Sequence, residues 1–584
     1  MSEKTDSNLS NIRHSLSHLL AAAVLKNYPD TKLGIGPVID NGFYYDFLFS
    51  KPVSDSDLNE IEKEMISLIA KKIKFEKETI TLADAKKLFK DQPFKLELAE
   101  EYAGEGRELT IYRSGDFTDL CEGGHVKDTS EINPEGFKLT KLAGAYWHGD
   151  EKNPQLTRVY GLVFESKKEL DNHLKMLEEA EKRDHKKLGP QLDLFTFSPL
   201  VGAGLPLWTP KGTILRNLLD DFVWNLRRAR GYEQVDIPHL AKKELYEKSG
   251  HWDKFKNELF QIKTREGHIF ALKPMNCPHH IQIFDRRPSS WRELPQRYAT
   301  TTKVYRDEQT GELSGLARVR SITQDDSHVF CRESQVKEEI SKIWEIVDEF
   351  YGAVGFNLKI RLSLRDPKEQ EKYLGTPEMW DKAENELREI AKEKGIKVSE
   401  VQGEANFYGP KIDFMANDSL GREWQVATIQ LDVNLPERFD LSCVNEKGEK
   451  ERIVMIHCAI MGAIERYLAI LIEHFAGAFP LWLSPVQVAV LPISEKQNGY
   501  AQEICGEIIK AGIRAEFVDK NETIGKKIRE VETQKTPYIV VIGEKEEKNK
   551  TVAIRKRKHG DLGEIKAKDL IDRLLKEIKE KSLD

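Results

Sequence analysis

Cysteine is scarce in this chain: there are 6 among 584 residues, and they are scattered along it. A secreted protein held together by disulfides uses them in a dense framework, so we expect a reducing compartment and a cytoplasmic protein. Long apolar runs are also missing. No stretch approaches the ~18–20 uncharged residues of a membrane span, and residues 1–6 are polar, without the apolar core of a signal peptide. These features argue against a membrane-bound or exported protein.

An excess of positive charge is missing as well. The formal net charge is −7, with 32% charged and 39% hydrophobic residues, so the chain can form folded cores, and its length predicts three or four domains. This balance does not favour DNA or a membrane as a partner. Contact with nucleic acid then requires a local basic patch, and the densest one is Arg555-Lys556-Arg557-Lys558-His559. It follows a predicted strand, so we expect it at a sheet edge.

The patterning changes along the chain in three blocks. Residues 10–180 mix helices with aromatic strands, and the charged stretch 167–187 predicts one connecting helix. The second block, 186–482, mixes β-like runs with helices predicted near residues 212–230, 336–352 and 456–475. From residue 484 strands alternate with helices, which predicts a small α/β domain. We therefore expect a multidomain α+β protein.

One cysteine and two histidines stand out because of their neighbours. Cys277 lies in KPMNCP, His328 ends TQDDSH, and His457 begins HCAIMGAIER. One thiolate and two imidazoles give Zn²⁺ three ligands and leave a fourth position open, as in a catalytic site. Two alternatives stay open: three unrelated core residues, or a closed structural site completed by Cys331 or Cys458.

Charged residues near a predicted strand–loop–strand unit indicate a nucleotide site. Arg306 and Glu308 follow the β-like run 301–305, and period-2 spacing predicts that both side chains lie on one face. Arginine binds a phosphate through two parallel hydrogen bonds, and glutamate accepts one from an adenine-type amine. Arg466 is predicted on the buried side of the helix 456–475. It has no carboxylate at i±4 there, so it needs an anion.

These segments resemble the signature motifs of class II aminoacyl-tRNA synthetases. Arg306 and Glu308 match one motif, Gly462 and Arg466 match another, and Pro238, in VDIP, is similar to a segment used for dimerisation. The metal-ligand segments narrow the resemblance to the threonyl-tRNA synthetase family, over nearly the whole chain. It implies a form without the small N-terminal ubiquitin-like domain of many members.

The resemblance also implies the domain plan. It consists of an editing domain with its charged connector at residues 1–185, a catalytic domain with an antiparallel sheet and zinc at 186–482, and an α/β anticodon-binding domain at 483–584. The implied assembly is a homodimer, with one Zn²⁺ per subunit and Mg²⁺ bound with ATP.

The implied reaction joins L-threonine to tRNA(Thr). Threonine and ATP give threonyl-adenylate and pyrophosphate, and threonine then passes to the 3′ end of the tRNA. The resemblance assigns ATP to Arg306, Glu308, Arg318 and Arg466. It assigns threonine to Gln324, Asp326, Tyr408 and Lys411. His251, in SGHW, is implied to help deprotonate the tRNA ribose hydroxyl, and it joins Arg306, Arg466 and Lys411 as a catalytic candidate.

The implied zinc has a physical purpose. Threonine and valine are nearly isosteric, and an apolar pocket separates such pairs only about a hundredfold. A metal with an open position can take the amino group and the hydroxyl of threonine together, which valine cannot offer. Serine keeps the hydroxyl, and the missing methyl group is worth only about 1–3 kcal/mol, so serine has to be removed by editing.

The first block supplies residues for such an editing site. His14 and His18 lie one helical turn apart on one face, and Cys121 and His125 add a thiol and a third imidazole. They resemble the editing domain of threonyl- and alanyl-tRNA synthetases, which hydrolyses the mischarged seryl ester. Three further pocket candidates are Lys95, Asp119 and Asp46. Four such ligands also suit zinc, but the resemblance implies a pocket that positions water without a metal.

Four residues depart from the family pattern. Cys458 stands where an arginine is common, and we expect it to point away from the metal. Glu122 and Gly124 lie in a segment that is commonly Arg-Gly-Pro, and His148 replaces an arginine. The changes at residues 122 and 148 remove positive charge and are expected to weaken the hold on the tRNA end.

The C-terminal block resembles the anticodon-binding domain of class IIa synthetases, with Asn521, Glu546 and Arg555 at positions similar to anticodon contacts. Two other classes of function stay open. One is a catalytically inactive, synthetase-like RNA-binding or amino-acid-sensing protein, although Arg306, Glu308, Gly462 and Arg466 are all present. The other is a synthetase for serine, proline or alanine, which is expected to lack the metal triple or the C-terminal domain.

Overall fold

The computed structural model describes residues 2–584, with side chains from residue 8 onward. The chain forms two compact units, residues 1–178 and 179–584. Within the described residues, no helix combines the length and the apolar character needed to cross a membrane.

The first unit contains helices and short antiparallel strands. Its helices are α1 (Ser2–Asn27), α2 (Leu58–Ala70), α3 (Leu82–Leu88), α4 (Pro93–Gly104) and the first part of α5 (Lys167–Arg183). Its strands are β1 (Lys32–Leu33), β2 (Val38–Ile39), β3 (Gly42–Leu48), β4 (Phe75–Thr79), β5 (Thr110–Ser114), β6 (Phe117–Leu120), β7 (Phe137–Tyr146) and β8 (Gln155–Val163).

A five-stranded sheet organises this unit. Its order is β1-β3-β8-β7, with β2 also paired to β3, and β4-β5-β6 form a second sheet. Helix α1 buries Leu16, Leu19, Leu20 and Ala23, which recur at the spacing of one helical face. Because the same helix carries His14 and His18, its packing against the sheet fixes where these imidazoles lie.

Up to residue 475, the second unit contains one large sheet, several short strands outside it and a set of α-helices. Its helices up to residue 475 are α6 (His185–Gln191), α7 (Pro210–Ala229), α8 (Lys243–Ser249), α9 (His251–Lys254), α10 (Cys277–Phe284), α11 (Val336–Val354), α12 (Pro377–Glu393), α13 (Asn434–Arg438) and α14 (Ile464–Phe475). The strands are β9 (Phe195–Thr196), β10 (Leu207–Trp208), β11 (Glu233–Gln234), β12 (Leu240–Lys242), β13 (Gln261–Lys263), β14 (Ile269–Leu272), β15 (Ser289–Ser290), β16 (Gln296–Tyr305), β17 (Ser321–Cys331), β18 (Leu358–Leu364), β19 (Val398–Gln402), β20 (Lys411–Asn417), β21 (Glu423–Asp432), β22 (Ser442–Val444), β23 (Lys450–Arg452) and β24 (Val454–Ala463).

The large sheet has eight strands in the order β11-β16-β17-β24-β21-β20-β18-β19. The six inner strands pair antiparallel, and the edge strands β11 and β19 pair in parallel. Helices α7, α11 and α14 share one apolar core with alternate residues of β17 and β24, such as Val329 and Ile456. Because side chains alternate along a strand, the residues between them point to the opposite face, where the site lies.

The end of the chain is an α/β sandwich, as its alternation predicts. Its strands are β25 (Val488–Pro492), β26 (Ala515–Phe517), β27 (Tyr538–Ile542), β28 (Thr551–Lys556) and β29 (Gly560–Lys566), in the order β26-β25-β27-β28-β29. Its helices are α15 (Asn498–Lys510), α16 (Ile524–Thr533), α17 (Glu544–Asn549) and α18 (Ala567–Lys579).

Three expectations about local structure are wrong. The predicted helix 456–475 is a strand, β24, up to Ala463 and a helix only afterwards, since a strand buried on both faces has the same unbroken apolar pattern as a buried helix. The charged connector 167–187 breaks at Asp184, which caps α6 by accepting a hydrogen bond from the backbone of Lys186. The basic run from Arg555 is not at a sheet edge, because β29 covers β28.

Candidate active site

Strand pairing brings the two histidines of the predicted metal triple together. His328 on β17 lies directly opposite His457 on β24, and Cys277 begins helix α10. Their ligand atoms all lie within 4.8 Å of one another, and all three side chains are buried. The structure therefore brings together the three residues that the sequence singled out.

The ring nitrogens of the two histidines are arranged as metal ligands require. His328 Nε2 lies 3.0 Å from His457 Nδ1, so both nitrogens face the same point. The outward nitrogens have partners of their own: His457 Nε2 is 2.9 Å from a carboxylate oxygen of Asp432, and His328 Nδ1 is 2.8 Å from His280 Nδ1. Such outer partners orient zinc-binding imidazoles.

The chemistry of Cys277 also fits a cation. Burial raises the pKa of its thiol well above the usual value, and the negative charges of Asp326 and Asp432 add to this. A thiolate at this position therefore needs the charge of a bound cation. One sulfur and two imidazole nitrogens, buried and converging, suit zinc with an open position.

The closed-site alternative finds no support in the geometry. Cys458 follows His457 on β24 and points to the opposite face, into the apolar core, and Cys331 lies in the same core. Among the described residues, neither belongs to the group of converging ligand atoms. Cys458 thus points away from the metal group, as expected.

Residues expected to bind threonine lie beside this group. Asp326 and Gln324 share the site face of β17 with His328, two and four residues away. Burial raises the pKa of Asp326 to about 6, and Asn276 donates a hydrogen bond to its carboxylate at 3.0 Å. The buried side-chain oxygen of Gln324 has no hydrogen-bond partner among the described residues, so it is available to an amine. The ring of Tyr408 stacks on His457 at 4.7 Å.

Two other candidate site residues, Lys411 and His251, contact neighbouring side chains. Lys411 lies 3.1 Å from Asp413 in a buried ion pair. His251 is fully buried, with Nε2 3.5 Å from the Cys277 sulfur and Nδ1 2.9 Å from the hydroxyl of Ser249. Burial, together with the nearby charges of His457 and Arg306, lowers the pKa of His251 to about 3. His251 is therefore a neutral imidazole at the edge of the metal group.

Arg306 has the features of a free anion-binding group. Its Nη2 lies 3.1 Å from the sulfur of Met275, its guanidinium stacks 5.1 Å from the ring centre of Phe255, and its buried Nε has no hydrogen-bond partner among the described residues. Burial lowers the pKa of Arg306, the carboxylates of Glu258 and Glu308 oppose this, and the positive charge of Arg466 adds to it. A phosphate would relieve both the burial and the repulsion.

Two expectations about the phosphate site are wrong in detail. Strand β16 ends at Tyr305, so the period-2 argument for Arg306 and Glu308 does not apply. Arg466 is exposed, not on a buried helix side, and its Nε donates to the carbonyl of Ala317 at 3.1 Å. Every residue of α14 from Ile464 to Glu473 except Arg466 is buried, so Arg466 occupies the one open position there and faces the loop that follows Glu308.

Glu308 and Arg318 form an ion pair at the mouth of this site, at 2.6 Å, and Arg318 also pairs with Glu312 at 3.2 Å. Arg318 is exposed. It lies on the same loop as Glu308, so the two residues assigned to ATP hold each other in place.

The first unit contains a second group of convergent ligands. His14, His18, Cys121 and His125 all have a ligand atom within 4.8 Å of the others. The Cys121 sulfur lies 3.5 Å from His14 Nε2 and 3.3 Å from His125 Nε2. Burial lowers the pKa of His125 to about 2 and raises that of Cys121 to about 12. At neutral pH this is a pocket of neutral imidazoles and a thiol.

A buried charge network supports this pocket. Asp119 accepts hydrogen bonds from Lys95 at 2.5 Å and from the hydroxyl of Tyr45 at 2.5 Å, and it lies 4.0 Å from His18 Nε2. Asp119 therefore connects Lys95 to the histidine cluster at His18. Asp46 instead forms a bidentate pair with Arg158, at 2.7 and 2.8 Å.

The residues near this pocket that depart from the family pattern also form contacts or adopt a distinct backbone. Glu122 pairs with Arg107, and His148 lies 3.1 Å from Glu97. Gly123 has φ +128° and Gly124 φ +87°, a backbone that proline, with φ fixed near −65°, cannot adopt at residue 124. The change to glycine thus alters the shape of this loop as well as its charge.

The anticodon candidates differ in their availability. Asn521 is exposed, and Arg555 lines a cavity of 480 Å³ together with Lys556 and Lys558. Glu546 caps α17 by accepting a hydrogen bond from the backbone of Gly543 at 2.9 Å. Asn521 and Arg555 are therefore accessible to a nucleic acid, whereas Glu546 is engaged by its own helix.

Two members of the basic run, Arg557 and Lys556, are engaged in contacts within the protein. Arg557 donates to the carbonyl oxygens of Ala478 at 3.0 Å and Phe479 at 2.5 Å. Lys556 pairs with Glu577 at 3.2 Å. The basic patch is thus smaller than the sequence indicates.

Sequence reasoning missed the partners of the metal ligands. Asp432 and His280 contact His457 and His328, and Asn276 holds Asp326. Asn276 and His280 lie in the Cys277 segment, so proximity could have drawn attention to them. Nothing in the sequence around Asp432 marks it.

Known proteins match each part of the chain. Residues 260–475 match the family described as tRNA synthetase class II core domain (G, H, P, S and T), residues 487–577 the anticodon binding domain, and residues 109–160 the threonyl and alanyl tRNA synthetase second additional domain. The RNA binding domain of threonyl-tRNA synthetase from Cryptosporidium parvum is 39% identical, with a TM-score of 0.64, and the match covers 67% of this chain and 98% of that one.

Curated relatives match over almost the full length. The threonine–tRNA ligase of Porphyromonas gingivalis is 49% identical over 572 residues, which is 97% of this chain and 87% of that protein. The threonine–tRNA ligase of Cytophaga hutchinsonii is 48% identical over 571 residues, 97% of this chain and 88% of that protein. With the metal group, the arginine site and the second pocket in place, this similarity shows that the chain belongs to the threonine–tRNA ligase family.

Proposed function

We propose that this protein activates L-threonine with ATP, transfers it to the 3′ end of tRNA(Thr) and hydrolyses seryl-tRNA(Thr) formed in error. The observation that carries this proposal is the position of Arg306 near the group of Cys277, His328 and His457. Arg306 contacts Met275, two residues before Cys277, and its buried Nε has no hydrogen-bond partner among the described residues. A metal held by Cys277, His328 and His457 would select the amino acid. Arg306 binds the phosphate that the carboxylate of the amino acid attacks.

In the activation step, the carboxylate of threonine attacks the α-phosphate of ATP and pyrophosphate leaves. Arg306 holds the α-phosphate, Arg466 the far end of the triphosphate and Glu308 the adenine amine, with Arg318 at the phosphates. Negative charge grows on phosphate oxygens in the transition state, so fixed positive charge lowers the barrier. Mg²⁺ bound with ATP would neutralise part of the same charge.

Threonine is held by the face of β17 and its surroundings. Asp326 accepts a hydrogen bond from the threonine hydroxyl, and Gln324, Tyr408 and Lys411 surround the amino acid. Zn²⁺, one per subunit, would be held by Cys277, His328 and His457 and would supply a Lewis-acid position for the amino and hydroxyl groups. The neutral imidazole of His251 is a candidate base toward the tRNA ribose.

The second pocket acts on the ester after transfer. His14, His18, Cys121 and His125 position a water molecule, with Lys95 and Asp119 beneath them, and seryl-tRNA is hydrolysed. The metal-free form follows from the family resemblance, and zinc bound by the same four residues is the alternative.

The domain plan and tRNA contacts complete the proposal. We assign editing to residues 1–185, catalysis to 186–482 and anticodon reading to 483–584, with Asn521, Glu546 and Arg555 toward the anticodon. Among these, Arg555 is supported by its place in the C-terminal cavity. The tRNA and ATP of protein synthesis also lead us to assign the protein to the cytoplasm.

We further propose that the chain forms a homodimer through the region of Pro238. Leu240 and Ile262 are 43% and 39% exposed. They pair across β12-β14-β13 with Leu272 and Phe270, which lie two residues apart and so share a face. An exposed apolar sheet face of this kind is typical of a protein interface.

Amino-acid-dependent exchange between ATP and pyrophosphate tests the activation step. We expect strong exchange with threonine, weaker exchange with serine and none with valine. Arg306→Ala should lower kcat/KM for threonine by about 10²–10³-fold, because it removes a charge that stabilises the transition state. Arg228→Ala, at an exposed helix position, should leave the exchange unchanged.

Other results would redirect this proposal. No exchange with any of the three amino acids would support the sensor or RNA-binding alternative. Exchange with valine equal to that with threonine would refute selection by the metal group.

Deacylation of preformed seryl-tRNA(Thr) tests the second pocket. We expect Cys121→Ala and His14→Ala to lower the rate by about 10²-fold or more, since general acid–base groups contribute 10²–10⁴-fold, while threonine activation stays at the original level. His173→Gln, a partly exposed imidazole on α5 outside the cluster, is the control. Unchanged deacylation in both cluster variants would contradict the assignment, and a loss on adding a chelator would favour the zinc alternative.

Mass measurement in solution tests the dimer. The full chain should sediment at twice its mass of 67.1 kDa, and the double variant Leu240→Asp, Ile262→Asp should shift to the monomer, because it places charges in the apolar face. Ile396→Asp, at another exposed isoleucine, should remain dimeric. A monomeric parent protein, or a dimeric double variant, is the result that would count against this interface.

A further inference from the structure

We infer that Asp432 and His280 are positioning residues that hold the two metal-binding histidines in opposite tautomers, so that His457 binds through Nδ1 and His328 through Nε2. This inference rests on the proposed zinc site. It concerns the protein groups behind the ligands, and it explains why one histidine presents a different ring nitrogen from the other.

The Asp432 carboxylate fixes the tautomer of His457. Asp432 is fully buried. Its Oδ1 accepts hydrogen bonds from the backbone N–H of Asn434 at 2.8 Å and of Leu435 at 2.9 Å, so these two contacts fix the carboxylate at the start of α13. Its Oδ2 faces His457 Nε2 at 2.9 Å. An acceptor at this position requires the proton of His457 on Nε2, which leaves the lone pair on Nδ1 for a metal.

The Asp432 carboxylate also helps to position Tyr408, through Asn434. Asn434, whose backbone N–H donates to Asp432, uses its side-chain amide to donate to the carbonyl of Tyr408 at 2.7 Å. Tyr408 stacks on His457. Asp432 therefore sets the proton, the angle and the ring contact of His457 together.

His280 performs the corresponding task for His328. Because His328 Nε2 faces His457 Nδ1 at 3.0 Å, a metal between them requires the His328 proton on Nδ1. That nitrogen lies 2.8 Å from His280 Nδ1, which must then act as the acceptor. His280 consequently carries its proton on Nε2, a buried atom without a hydrogen-bond partner among the described residues.

Each proposed histidine ligand therefore has its own outer partner: the imidazole of His280 for His328, and the carboxylate of Asp432 for His457. A carboxylate partner makes its imidazole a stronger ligand than a neutral partner does. His457 is therefore the firmly oriented ligand. His328, supported by a neutral ring, depends on the shape of the buried pocket around His280.

Zinc affinity of the full-length chain, measured by competition with a chromogenic chelator, tests the inference. We expect Asp432→Asn and His280→Ala to weaken zinc binding about 10–100-fold, as the loss of such outer partners does. An asparagine amide that donates to His457 Nε2 moves the ring proton to Nδ1 and blocks the ligand atom. The controls are Asp440→Asn, an exposed carboxylate, and His268→Gln, an exposed imidazole.

A second measurement, on the parent protein, tests the same inference if Asp432→Asn or His280→Ala folds poorly. In the zinc-loaded parent protein labelled with ¹⁵N-histidine, we expect one metal-bound Nδ1, from His457, and one metal-bound Nε2, from His328, assigned with His457→Gln. Two histidines bound through the same type of nitrogen would overturn the inference. So would parent-like zinc affinity in both Asp432→Asn and His280→Ala.

The failure of the proposed function gives a different result. In that case the parent protein itself binds no zinc, and Cys277→Ser has no effect on its metal content. A parent protein that binds one zinc, with variants that bind it equally well, would leave the zinc site intact and remove only the assigned roles of Asp432 and His280.

Discussion

The register between β17 and β24 fixes the geometry of the proposed active site. With His328 opposite His457, the period-2 alternation of both strands places the proposed metal ligands on one face and the apolar residues on the other. A slip of one residue would exchange the faces, moving His457 into the core and Cys458 into the site. The large apolar core behind the sheet makes such a slip costly, so packing on one face protects the chemistry on the other.

A buried ion pair reinforces this register where it is irregular. The pairing of β17 with β24 shifts between Asp325 and Ser327, and the Asp325 carboxylate accepts the freed backbone N–H groups of Ile460 and Met461, both at 2.8 Å. Arg227 from α7 balances its charge. Because β17 pairs without interruption with β16, its side chains alternate between the two faces, so Asp325 points toward α7 and its neighbour Asp326 points into the site.

Part of this arrangement could be predicted from the sequence. The metal triple, Arg306 and the four residues of the second pocket were recognised because their residue types occur in short, distinctive segments. The strand that carries His457 was predicted as a helix, since an unbroken apolar run does not separate the two. The task of Arg557 and the partnership of Asp432 with His457 depend on contacts between distant segments, which local patterns do not contain.

The central claim is that a metal held by one cysteine and two histidines keeps an open position for threonine. X-ray absorption at the zinc edge, on the full-length chain with and without amino acids, tests it most directly. We expect one sulfur and two imidazole nitrogens around the metal, a spectrum that changes when threonine is added, and no change with valine. Two sulfur ligands, or a spectrum that threonine leaves unaltered, would contradict the claim.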